Sequence, residues 1–155
     1  GNTGLNMTPP LVKRLCNHPN IKGIKDSSGN IVQISEILRD VPEDFAVFAG
    51  SASFLMPALV MGAKGGTLAS ANVAPDLCVR IYELANQGKY DEARTIQKSI
   101  LKLNSLVTAR YGVAGLKAAL DMIGYFGGLP RKPILPVGDK EKEEIRATLK
   151  ELGLA

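Results

Sequence analysis

The chain has 155 residues, 45% of them hydrophobic, which is enough for one domain with a real core and excludes a disordered polymer. Its +4 net charge comes from lysines and arginines scattered among acids, and aromatics are only 5%, so the excess reads as solvated surface rather than a nucleic-acid patch. No run of about 18 uninterrupted apolar residues occurs, so no membrane-spanning helix is expected. The start, Gly1-Asn2-Thr3-Gly4, is polar and lacks both an initiator Met and the charged-then-apolar pattern of a signal peptide. An upstream part cut away or carried on another chain is the expectation, in a cytoplasmic setting. Cys16 and Cys78 fall in apolar helical patterns without CxxC spacing or His partners, which reads as buried free thiols in a reducing compartment. His18 sits in the turn signal Asn17-His18-Pro19-Asn20 and reads as a surface turn residue.

Residues 1–7 read as a loop. Thr8 is an N-cap candidate and Pro9 takes the first helical position, predicting a short helix to about Asn17 with Leu11, Leu15 and Cys16 inward. A strand over Ile21–Ile24 follows, and then the turn-rich stretch Lys25-Asp26-Ser27-Ser28-Gly29. Asn30 with Gln33 three residues on resembles a capping box, opening a helix with Ile31, Ile34, Ile37, Leu38 and Val41 as its buried stripe. Pro42 ends it. Phe45–Ala49 is the next strand, Phe54–Met61 a helix, and Gly66–Ser70 a third short strand. Strand alternating with helix predicts βαβ units and a parallel sheet.

Beyond Asn72 only helices are predicted. One is capped by Asp76 and stopped at Gly88, with Leu77, Ile81, Leu84 and Ala85 inward. A long one covers Tyr90–Arg110, and a shorter one Gly115–Ile123. After a Gly- and Pro-rich connector, Asp139 caps a last helix with Ile145, Leu149 and Leu152 as its stripe. Residues 1–72 therefore read as the strand–helix part and 73–155 as a helices-only part. Parallel strands are normally paired on both edges, so a sheet of about three strands needs a partner fragment or another copy.

Lys25 stands where strand gives way to a Gly/Ser turn. Burial disfavours the charged form of a lysine, and a neutral amine can attack a ketone carbon to form a Schiff base; a solvated end-of-strand charge is the competing reading of the residues alone. Alternation along the strand puts Lys25 and Ser27 on one face and Ile24 and Asp26 on the other. A turn serine that bonds its own backbone is the competing reading of Ser27. Gly50 reads either as a positive-φ turn or as a place of close backbone approach. Asp26, Glu36, Asp40 and Glu43 show no paired acid/base arrangement and read as surface. Gly65-Gly66-Thr67 lacks the lysine and Ser/Thr of a phosphate loop.

Gly23-Ile24-Lys25-Asp26-Ser27-Ser28-Gly29, preceded by His18-Pro19-Asn20-Ile21 and followed by Ala49-Gly50-Ser51-Ala52, resembles the pyruvate-dependent class I aldolases of the dihydrodipicolinate synthase / N-acetylneuraminate lyase family. The resemblance covers essentially the whole chain but only the C-terminal half of a family member. It implies an α/β fold: the C-terminal half of a (β/α)8 barrel followed by a helical extension, since a closed barrel needs roughly 250 residues. It implies that Lys25 forms an imine with a 2-oxo acid, that Ser27, Gly50 and Thr67 line the substrate pocket, and that Asn2 stands where many members carry a carboxylate-gripping arginine. No metal or organic cofactor is implied. The family's tetrameric habit implies a homo-oligomer. Asn2 and the stretch Tyr111–Lys117, together with Lys25-Asp26-Ser27 and Gly50–Met56, look more like 4-hydroxy-2-oxoglutarate aldolases, with dihydrodipicolinate synthase the alternative. The family's Thr-Thr pair and proton-shuttling tyrosine lie in its other half. Tyr82, Tyr90, Tyr111 and Tyr125 all fall in the helical tail, so a non-catalytic half-barrel is the alternative of another class.

Overall fold

A computed structural model describes residues 3–155. Eight residues at most separate one helix or strand from the next until the long connector before the last helix. The order is α1 (Pro9–Leu15), β1 (Gly23–Asp26), α2 (Ile31–Asp40), β2 (Ala46–Ala49), α3 (Leu55–Val60), β3 (Gly65–Gly66), α4 (Pro75–Asn86), α5 (Tyr90–Ser105), α6 (Gly112–Met122) and α7 (Asp139–Glu151). The strands form one parallel sheet in the order β1-β2-β3, as the alternation predicts. Register is fixed by Lys25 opposite Phe48, Asp26 opposite Ala49, and Phe48 and Ala49 opposite Gly65 and Gly66. A bond from Ala46 N to the Lys22 carbonyl begins the first ladder and one from Gly50 N to the Asp26 carbonyl ends it.

The first strand starts and ends later than the apolar run suggests. Ile21 still belongs to the preceding turn, its N–H bonding the His18 carbonyl. Lys25 and Asp26 belong to the strand although they are charged: Lys25 lies on the exposed side and Asp26 is satisfied by hydrogen bonds on the covered side. The third strand is shorter than predicted. Thr67 N reaches the Ala49 carbonyl, but β2 ends there, and Ala69–Asn72 then coil into a helical turn.

Four helix ends also differ from expectation. α1 stops at Leu15, with Cys16 closing its last turn. Ala74 and Gly138 occupy the caps of α4 and α7, so Asp76 and Asp139 contribute charge in the first turn rather than a capping oxygen. The long helix is α5 followed by a wider turn over Leu106–Arg110, closed by Tyr111 N bonding the Leu106 carbonyl five residues back.

α2, α3 and α4 cover one side of the sheet, and their stripes meet in a core with Val47, Ile34, Ile37, Leu55, Ile81, Ile100 and Leu149. Ile31, predicted inward, is exposed at the first turn of α2. Cys78 is buried, but Cys16 is only half-buried because it lies at the end of α1, where its thiol donates to the Lys13 carbonyl. Among the described residues no helix is long and apolar enough to cross a membrane.

Candidate active site

Lys25 is the third of the four residues of β1, one position before the strand ends. Its neighbour across the ladder is Phe48, and both lie on the side of the sheet that no helix covers. Asp26 lies on the covered side and is 6% exposed. The alternation therefore runs as expected: Lys25 and Ser27 share one face.

Gly50 is where sequence reasoning chose between a left-handed turn and close approach to a ligand. Its φ is not positive. A Cβ there would overlap the Ser27 hydroxyl and lie 2.9 Å from the Asp26 carbonyl. The close approach is thus to Ser27 of the neighbouring strand end, and this packing sets where the Ser27 hydroxyl points. Gly29, four residues after Lys25, does need a left-handed backbone, with φ +72°, to turn the chain from β1 into α2. Thr67 is exposed just beyond β3 and is held to β2 by its own N–H. Asn2 lies outside the described residues.

Asp26 overturns its reading as surface. Its Oδ1 accepts from Ser28 N at 2.7 Å and from Ser28 Oγ at 2.5 Å, and its Oδ2 accepts from Gln33 Nε2 at 2.7 Å. Gln33 does not complete a capping box. Asn30 caps α2 alone, its Oδ1 accepting from Val32 N and Gln33 N, while the Gln33 side chain turns to Asp26. The Gln33 Oε1 in turn accepts from Asn6 Nδ2 at 2.7 Å. The Asp-x-Ser spacing of Asp26 and Ser28 is a recognisable Asx pattern and could have flagged this turn. Nothing in the local sequence signals the link to Asn6.

Residues 5–7 run beside the free edge of β1 and, with Ile24, Lys25, Ser27 and Ser28, line a groove of about 350 Å³. The free edge of β3 carries a second groove, about 320 Å³ and mostly apolar, between Phe48, Leu55, Leu68 and Tyr82. None of the four tyrosines lines the Lys25 groove. Among the described residues, Lys25 joins none of the ion pairs, and no cluster of three or more His, Cys, Asp or Glu side chains is placed to hold a metal. The site offers an exposed primary amine beside a hydroxyl and a glycine, at the C-terminal ends of parallel strands.

Comparison with known proteins fits this geometry. The dihydrodipicolinate synthetase family matches residues 1–152. A 4-hydroxy-tetrahydrodipicolinate synthase of Archaeoglobus fulgidus is 37% identical over 152 residues, 98% of this chain and 53% of the relative. The crystal structure of a dihydrodipicolinate synthase from Thermotoga maritima superposes with a TM-score of 0.92 at 27% identity, over 99% of this chain and 53% of that one. A structure described as a monomeric dihydrodipicolinate synthase variant gives 0.91 at 28% identity, over 100% and 53%. The chain spans about half the length of the relatives it matches. The described residues have the fold of the C-terminal half of these barrels.

Proposed function

The chain belongs to the dihydrodipicolinate synthetase family, and from that premise we propose that Lys25 is the imine-forming amine of a Schiff-base lyase that uses pyruvate. The observation that carries this reading is the position of Lys25: on the uncovered face of β1, at the strand's C-terminal end, beside Ser27 and Gly50. Active sites of (β/α)8 barrels sit at that end of the strands. Lys25 Nζ adds to the C2 carbonyl carbon of pyruvate, and the carbonyl oxygen leaves as water. The resulting protonated imine draws electrons from C3, which loses a proton to give an enamine. The enamine carbon attacks the carbonyl carbon of an aldehyde, and hydrolysis of the new imine returns the free amine. Ser27 hydrogen-bonds the keto-acid carboxylate or hydroxyl, and Gly50 and Thr67 line the pocket. Proton transfer at C3 is served by a group from the other half of the barrel, contributed by an upstream segment, another chain or another copy.

The preferred reaction is condensation with an aspartate-derived aldehyde, because the relatives are named 4-hydroxy-tetrahydrodipicolinate synthase. That name supports the synthase better than the aldolase that the sequence motifs resemble more. Cleavage of 4-hydroxy-2-oxoglutarate-like acids, the same imine chemistry in reverse, stays as the second reading on one observation: Asn2 offers a neutral amide where an arginine would supply two charged donors. The test combines the chain with the N-terminal half, adds pyruvate and borohydride, and maps the labelled peptide. Label on Lys25 is expected; label on Lys64 instead would overturn the assignment. A kcat/KM comparison of the two reactions then ranks synthase against aldolase.

A further inference from the structure

The stretch before α1 does not pair with the free edge of β1, yet it forms one wall of the Lys25 groove through Leu5, Asn6 and Met7. What holds it there is a chain of side-chain hydrogen bonds through Gln33 and Asp26, which line the same groove. Asn6 Nδ2 donates to Gln33 Oε1, and Gln33 Nε2 donates to Asp26 Oδ2, each at 2.7 Å. The other Asp26 oxygen already takes both donors of Ser28. Asp26 is thus surrounded by donors, and it sets the direction of the whole chain. Gln33 must turn its NH₂ towards Asp26, which leaves only Oε1 for Asn6, and Asn6 must meet it with its NH₂. Gln33 and Asp26 are 7% and 6% exposed, so water cannot readily replace the bond between them, while the bond to the exposed Asn6 is only partly buried.

We propose that Gln33 is a positioning residue for Lys25, fixing the loop of residues 3–8 against the end of β1 so that the groove keeps one width for the substrate. Gln33 never touches the reacting atoms. Its effect reaches Lys25 through two routes: the covalent neighbour Asp26, and the wall carrying Leu5 and Met7. The link to substrate rests on the Schiff-base reading; the tether itself does not.

The polarity of the chain supplies a test that a merely structural role would not reproduce. Gln33→Leu keeps the bulk and removes both bonds. Gln33→Glu keeps the bond from Asn6 but sets a carboxylate against Asp26. Combining Gln33→Glu with Asp26→Asn reverses one link, because the introduced carboxylate accepts from the introduced amide and from Asn6 alike. Two readouts are taken. Hydrogen exchange of residues 3–8 is followed on the full chain, and the pyruvate concentration for half-maximal borohydride labelling of Lys25 is measured in the assembled enzyme. Both single variants should speed exchange in the loop and raise the half-saturating pyruvate concentration about tenfold, with labelling at saturation kept. The double variant should bring both values back towards wild type.

Equal half-saturation in wild type and Gln33→Glu, or no recovery in the double variant, overturns the proposal. If Gln33→Leu fails to fold, the comparison of Gln33→Glu with the double variant still decides. A wild-type enzyme that takes no label from pyruvate overturns the Schiff-base reading instead, and the exchange pattern then decides the tether alone.

Discussion

At Gly50 a single hydrogen stands where any other residue would place a carbon, and that carbon would overlap the Ser27 hydroxyl. Gly50→Ala must therefore push the ends of β1 and β2 apart, at a cost of about 1–3 kcal/mol, read as a lower urea midpoint with an unchanged slope. Adding Ser27→Gly removes the overlapping atoms but leaves the Asp26 carbonyl 2.9 Å from the new carbon, so recovery should be partial. Full stability in Gly50→Ala alone would refute this account of the glycine. The two cysteines make a second prediction at this scale. Burial pushes the Cys78 thiol above its ordinary range, and the thiolate is the reactive form. Cys16 is half-buried at the end of α1. Iodoacetamide should label Cys16 in the native chain and Cys78 only after unfolding. Peptide mapping of the alkylated chain checks this, and fast native labelling of Cys78 would contradict it.

Single elements show which parts of the structure local chemistry announces. Asn30 caps α2 with two bonds, at 3.1 and 3.2 Å. Asn30→Ala should cost about 1 kcal/mol, and Asn30→Gly only a few tenths, as a difference in thermal midpoints. That cap, Pro9 in the first turn of α1, and the alternation of Lys25 and Asp26 were legible because each depends on neighbours within a few residues. The stripe of α2 was legible for Ile34 and Ile37 but not for Ile31, which sits at the exposed first turn. Strand ends were misjudged where hydrophobicity was taken as their limit, since one face of β1 is uncovered and accepts Lys25. The buried polar residues were invisible for a different reason. Gln97 on α5 donates to the Ala52 carbonyl at 2.6 Å and accepts from Met56 N at 2.9 Å, clamping the turn that follows Gly50. Its partners are more than forty positions away, and no spacing rule spans that distance. The junction of α6 and α7 carries a pH prediction. Hydrogen bonds from Tyr111 and then Arg110 hold the Glu144 carboxyl below its ordinary 4.5. A depressed carboxyl contributes stability that is fully present above its unfolded value and is lost as pH falls through the folded one. Thermal midpoints should therefore drop on acidification from about pH 5 downwards, and Tyr111→Phe should flatten that limb. An identical acid limb in Tyr111→Phe would remove Glu144 as its source.

Among the described residues, the same sheet that presents Lys25 leaves β1 and β3 each with one partner. An unpaired strand edge presents a row of free backbone groups and templates association. The grooves beside both edges hold apolar side chains, Leu5 and Met7 at one and Leu68 and Tyr82 at the other. The connector between α6 and α7 adds Leu129, Leu135 and Phe126, the last 93% exposed. Exposed apolar side chains beside unpaired strand edges favour association over a solvated face. Purified alone, the 16.5 kDa chain should sediment as a multiple of that mass, or at a mass that rises with concentration. It should also turn over pyruvate chemistry poorly. Its uncovered sheet face admits water to any imine at Lys25, and no tyrosine lines the groove to move the C3 proton. Supplying the N-terminal half should lower the association, since the added strands pair with both edges, and raise turnover in the same titration. A concentration-independent monomer that releases product at the rate of the assembled enzyme would show that neither edge needs a partner and that the chemistry is complete in this half.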